Sequence, residues 1–159
     1  MRHFCRHTQK LLCNGMAEWG PVFFGVIVVD EIPFIILFPI QMSKILVVDD
    51  DTDILTVVEI VLSMNNYSVK AISRWEDIPH SIESFSPDLI LLDVALGGAD
   101  GREICRQLKN SGETQHIPVI LFSAHYDLVN NIKGCMANGL VTKPFETSYL
   151  LETIRKNIA

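Results

Sequence analysis

Residues 89–93 read Leu-Ile-Leu-Leu-Asp, four large apolar side chains closed by an acid, directly after Pro87-Asp88. A run this short, with no polar alternation, suits a strand buried on both faces. The same pattern recurs outward from it. Lys44 to Val48 (KILVV) runs into Asp49-Asp50-Asp51, and Val119 to Phe122, entered through Pro118, ends at Ser123. Tyr67 to Ile72 reads as a further strand, and Leu140-Val141 as a short one ending near Lys143. Helical spacing fills the intervals. Ile54, Leu55, Val57, Val58, Val61 and Leu62 lie on one helix closed by Asn65-Asn66. Trp75 to Phe85, Arg102 to Leu108, Leu128 to Ala137 and Thr147 to Ile158 supply four more. The start of the second is open: Ser73 and Glu76 make a capping box, whereas Pro79 is better tolerated if the helix begins near Asp77. Five strand–helix pairs with continuous apolar strands predict an α/β fold, a doubly wound parallel sheet with helices on both faces.

The 159 residues predict one domain with an extension. A net charge of −6 and the lack of any basic run argue against a nucleic-acid surface. Cys5, Cys13, Cys105 and Cys135 have neither CxxC spacing nor the density of a disulfide scaffold. Cys105 and Cys135 fall in helical patterns, where a free cysteine acts as a small hydrophobe.

Residues 1–41 do not share the alternation that starts at Met42. Their apolar run from Pro21 to Ile40 is long enough to span a bilayer. Asp30-Glu31 at its middle argues against this, each acid costing about 2.5–3.5 kcal/mol on insertion, as do Pro33 and Pro39. The leading reading makes Met42 the biological start and residues 1–41 an upstream extension, with 42–159 as the functional domain. A membrane-associated or partner-binding extension is the other reading.

In an open α/β sheet, ligands bind beyond the carboxyl ends of the strands. Asp49-Asp50, Asp93, Ser123 and Lys143 all fall at such ends. A helix cap accounts for Asp51 or Thr52. It does not account for Asp93, which closes so apolar a strand that its carboxylate needs a partner. Three carboxylates in one pocket repel each other, and a divalent cation relieves this. Mg²⁺ is commonly held by one or two carboxylates plus a phosphate, which suits phosphoryl chemistry. Asp93 is then the nucleophile that forms an acyl phosphate. Lys143 brings a compact positive charge to a phosphate oxygen, and Ser123 a hydroxyl donor.

Four segments, KILVVDDD (44–51), LILLDVALGGADG (89–101), IPVILFSA (117–124) and VTKPF (141–145), resemble in order the signature segments of bacterial two-component response-regulator receiver domains, the CheY-like superfamily. The resemblance covers Ser43 to Ala159. It implies a flavodoxin-like sheet of strand order 2-1-3-4-5, with Mg²⁺ bound by Asp49, Asp50, Asp93 and the backbone carbonyl of Ala95. It also implies phosphorylation of Asp93 by a sensor histidine kinase or histidine phosphotransfer protein, Ser123 as the switch hydroxyl, Lys143 as the conserved-type lysine, and a cis bond at Lys143-Pro144. Four departures stand out. Gly97 replaces a common Pro and is expected to loosen the loop after Asp93. Leu140 replaces the usual switch aromatic. The interval from Ser123 to Lys143 is short, suggesting a trimmed fourth helix. Ala95 and His125 occupy the positions that tune phosphoryl hydrolysis.

The resemblance further implies a cytoplasmic, stand-alone phosphoacceptor, a monomer or weak dimer. It would catalyse only its own phosphorylation and dephosphorylation and act through contact with a downstream protein, with no nucleic-acid or membrane partner. The alternatives are a receiver-like binding module that works without phosphorylation and a receiver fragment of a hybrid kinase. A hydrolase of the same fold is disfavoured, because its second acid would have to stand at Ala95.

Overall fold

A computed structural model describes residues 41–124 and 134–158. The expectations for residues 1–40 and for His125 lie outside these residues, as does most of the predicted helix Leu128–Ala137 with its expected trimming. The unit described is Met42–Ala159.

Five strands form one sheet: β1 (Lys44–Val48), β2 (Ser68–Ile72), β3 (Leu89–Asp93), β4 (Val119–Ser123) and β5 (Gly139–Thr142). All pairings are parallel, and the spatial order is β2-β1-β3-β4-β5. The order implied by the resemblance is therefore the one observed. The α-helices among the described residues are α1 (Thr52–Met64), α2 (Ile78–Phe85), α3 (Gly101–Asn110) and α4 (Thr147–Asn157).

Strand alternation divides the core in two. On β1, Ile45 and Val47 join Leu89, Leu91, Ile120 and Phe122 beneath Leu55, Val58 and Leu62 of α1 and Leu150 and Ile154 of α4. Leu46 and Val48 join Ile90, Leu92, Val119 and Leu121 beneath Ile78 of α2 and Ile104 and Cys105 of α3. Every residue of β3 and β4 is buried, as continuous apolar runs require.

Asp51 caps α1, its carboxylate accepting from the N–H groups of Asp53 and Ile54. Asp100 caps α3 by accepting from Arg102 N–H at 2.9 Å, which moves the start of that helix to Gly101. The Ser73–Glu76 capping box does not form. A 3₁₀ turn covers Trp75–Asp77 without a side-chain cap, and α2 begins at Ile78, putting Pro79 in its first turn, where a missing N–H costs nothing. Residues 134–137, the predicted end of the fourth helix, are not α-helical, and Met136 takes a left-handed φ of 59°.

Gly101 packs its Cα directly against the end of β3. A Cβ there would overlap the carbonyl oxygen of Asp93, while its N–H donates to Val94 O at 2.9 Å. Gly101→Ala should therefore cost about 2–3 kcal/mol of stability, seen as a lowered urea midpoint. Gly112→Ala, at a site open to solvent, should be nearly neutral. Equal midpoints for the two would mean that β3 yields without strain.

Cys105 is fully buried and donates its thiol to Cys135 O at 3.3 Å. Burial, then the neighbouring Cys135, pushes the Cys105 thiol up from 9.0 to about 12. An unfolded chain would lose this proton from about pH 9 upward while the folded one keeps it, so this contribution to stability fades as pH rises from 9 towards 12. The urea midpoint should drop less between pH 8 and pH 10 in Cys105→Ala than in the native chain. An equal drop would remove Cys105 from the alkaline response.

Candidate phosphoacceptor site

Parallel pairing brings the strand ends level. Val48 pairs with Leu92, Asp93 with Phe122 and Ser123 with Thr142, so the next residues of β1 and β5, Asp49 and Lys143, emerge beside Asp93 and Ser123. Lys143 N–H donates to Ser123 O at 2.7 Å, tying the last two strand ends together. Lys143-Pro144 is cis, as the resemblance implied.

The Lys143 ammonium lies between two buried acids. Nζ is 2.5 Å from Asp49 Oδ2 and 2.7 Å from Asp93 Oδ1. The remaining oxygens are also held. Asp51 N–H donates to Asp49 Oδ1 at 3.0 Å, and Ala95 N–H to Asp93 Oδ2 at 2.6 Å. Asp49 and Asp93 are 1% and 4% exposed, whereas Asp50 faces solvent. The adjacent acids therefore differ: Asp49 belongs to the interior and Asp50 to the rim. Phe122 underlies the site, its ring centroid 5.3 Å from Lys143 Nζ and 5.0 Å from the ring of Phe145.

Carboxylate oxygens of Asp49, Asp50 and Asp93 lie within 4.8 Å of one another. Three acids and one ammonium gather at this end of the sheet. Burial raises the Asp49 carboxyl, and the hydrogen bonds from Lys143 and from the backbone of Asp51 do not fully offset it. Burial alone would lower Lys143, but its bonds to Asp49 and Asp93 outweigh that and hold it above its usual value. Asp49 and Asp93 share the one ammonium, and Asp50 adds a third negative charge within reach of both. A hard divalent cation with oxygen ligands fits such a donor set.

Asp49, Asp50, Asp93, Ser123 and Lys143 converge as expected, and Ser123 is buried. Ala95 stands two residues past Asp93, but the contact seen is through its N–H rather than its carbonyl. The loop after Asp93 is a two-stranded ribbon, Ala95–Leu96 with Ala99–Asp100, turned at Gly98 with φ 104°. Within it, Gly97 N–H donates to Asp50 Oδ2 at 3.0 Å. Gly97 thus ties the loop to Asp50 through a donor that proline lacks, where the sequence suggested only loosening. The Gly97-Gly98 pair was the available signal for this turn. Leu140 is half-buried against the α2/α3 side of the core, and Tyr149 Oη lies 3.4 Å from its carbonyl.

A family model described as the response regulator receiver domain matches residues 45–155. A response regulator from Chloroflexus aurantiacus J-10-fl is 28% identical, with a TM-score of 0.69 over 74% of this chain and 98% of the other. The receiver domain of a sensor histidine kinase from Pseudomonas aeruginosa PAO1, solved with a magnesium ion coordinated in its active site cleft, is 25% identical with a TM-score of 0.67, covering 74% and 98%. The chemotaxis response regulator CheY4 of Vibrio cholerae, 23% identical with a TM-score of 0.67 over 73% and 98%, shares the fold.

Proposed function

Since this chain belongs to the response regulator receiver domain family, we propose that Asp93 accepts a phosphoryl group from the phosphohistidine of a sensor histidine kinase or histidine phosphotransfer protein. The observation that carries this reading is the Lys143 ammonium held between Asp49 and Asp93 beside a third acid. A carboxylate oxygen of Asp93 attacks phosphorus, the P–N bond to the donor imidazole breaks, and the imidazole leaves with the electron pair. Ala95 N–H and Lys143 orient the two Asp93 oxygens before attack. Lys143 then follows the charge onto a phosphoryl oxygen, and the Ser123 hydroxyl donates to another.

Asp49, Asp50, Asp93 and the Ala95 carbonyl would hold Mg²⁺, which when bound neutralises charge on the transferred group. In this reading the protein acts on no substrate other than its own aspartyl phosphate, which it forms and hydrolyses. The phosphoryl group adds about −1.5 to −2 charges, and output passes by protein contact from the β4–β5 ends, where Ser123 and Lys143 are joined. On α1, Val57, Ile60 and Met64 leave an apolar stripe exposed along the helix, suited to a donor's helices. No helix among the described residues is long and apolar enough to cross a membrane; a cytoplasmic location accords with a kinase donor.

The test is to incubate the full chain with a small acyl-phosphate donor and Mg²⁺, then map the label by mass spectrometry. One base-labile phosphoryl group is expected on the peptide holding Asp93, and chelating the metal should slow its appearance by about 100-fold or more. Label on a serine or histidine, or labelling indifferent to Mg²⁺, would overturn the assignment.

A further inference from the structure

Away from the acid site, α2 and α3 do not close against each other. Between them lies a groove of about 740 Å³, floored by Ile78 and Ile104 and walled by Trp75, Pro79, Ile82 and Leu108. This volume falls in the range of sites that accept ligands. Trp75 stands 39% exposed at its mouth, on the uncapped 3₁₀ turn that leads into α2. An indole left in water on a short irregular turn is an unusual use of so large an apolar surface, and Trp is enriched among interface anchors.

The rim has one sign of charge. Glu76, Glu83 and Glu113 surround the opening, and no lysine or arginine lines it. Two nearby cations are engaged elsewhere. Lys109 donates to the carbonyls of Ile117 and Gln115, and Arg106 pairs with Glu103. Arg74 meets Glu76 only loosely, at 3.8 Å with both side chains well exposed. An apolar slot fenced by glutamates is complementary to an apolar stripe flanked by cations.

We propose that the α2–α3 groove is a docking site for a partner protein's amphipathic helix, its apolar face seated against Trp75, Ile82 and Leu108 and its Lys or Arg flanks paired with Glu76, Glu83 and Glu113. Helix-in-groove recognition reads anchors at i, i+3, i+4 and i+7, and two helices that diverge over apolar side chains supply such a cradle. The acidic rim sets orientation and on-rate, and the apolar floor supplies the affinity. None of the residues that line this groove belongs to the phosphoacceptor site, and the proposal does not depend on that site's chemistry.

The probes are two synthetic helical peptides of about 16 residues, long enough to hold helix, with leucines at i, i+3, i+4 and i+7. One carries lysine flanks and the other glutamate. Each is titrated into the full Trp19→Phe chain, with Mg²⁺ present so that the acid site is not free to attract lysine, while amide and indole NMR shifts are followed. The lysine peptide should shift Trp75 to Glu83 and Ile104 to Thr114, with a Kd on the order of 10–100 µM that weakens as salt is added. Trp75→Ala and Glu83→Lys/Glu113→Lys, both surface changes checked for native circular dichroism, should each weaken it at least tenfold. Several outcomes would overturn the proposal: equal binding of the glutamate peptide, shifts centred elsewhere, or unchanged affinity in both variants. Concentration-dependent dimerisation that shifts the same amides without peptide would likewise replace the partner helix with a second copy.

Discussion

Asp93→Asn protein should take up no phosphoryl group from an acyl-phosphate donor while remaining folded. The change is nearly isosteric and keeps an oxygen for the Ala95 N–H, so the ribbon that follows keeps its anchor. It removes the nucleophile, since an amide oxygen cannot form the acyl phosphate. It also turns an N–H towards Lys143 Nζ, which now bonds to Asp93 Oδ1 at 2.7 Å. The ammonium should then lean fully on Asp49. The local charge changes from three acids against one ammonium to two against one, so Mg²⁺ affinity should fall by roughly tenfold. Intact-mass spectrometry after donor treatment and metal calorimetry read the two effects. Full labelling of this variant would move the acceptor away from Asp93.

Lys143→Ala should separate metal binding from phosphoryl transfer, sending them in opposite directions. The ammonium is the direct counter-charge of two buried acids. Its loss leaves them unpaired, which typically costs about 3–5 kcal/mol in a buried pair. A divalent cation can take its place, so Mg²⁺ should bind roughly tenfold tighter than in the native chain and raise the melting temperature more. Phosphoryl transfer should nevertheless slow by about 10²–10³-fold, because the fixed positive charge aimed at the transferred group is gone. Melting curves with and without Mg²⁺, set beside labelling rates, test both parts. Labelling at the native rate would reduce Lys143 to a structural counter-ion.

Much of this was legible in the sequence because the fold imposes strong local patterns. β1, β3 and β4 are covered on both faces, so their apolar runs have no competing reading, and each ends at or one residue before the side chain it delivers to the site. The boundaries of α2 and α3 were harder to read. Ser73 and Glu76 have the spacing of a capping box, but the chain takes a 3₁₀ turn there, and Pro79 fits the helix only one turn later. At α3 the cap is Asp100, which also belongs to a ribbon too short to leave a periodic trace. The identity of the five site residues followed from strand ends, but not their division of labour. Nothing in Asp49-Asp50 states that one is interior and the other rim, since that depends on which way the backbone turns after Val48. Nor does a sequence reveal that Gly97 lends Asp50 a backbone donor, a contact that exists only once the ribbon has folded over the end of β1.

The two ion pairs of Lys143 span 94 and 50 positions along the chain. Loops of that length close late, after local structure has formed. A polypeptide still emerging from the ribosome can therefore build β1 to β4 and present its acids, yet it has no ammonium between them until β5 is laid down. In the proposed reading, competence to accept a phosphoryl group is thus acquired only when β5 docks, and a chain lacking β5 would be silent even where its first four strands had found their places.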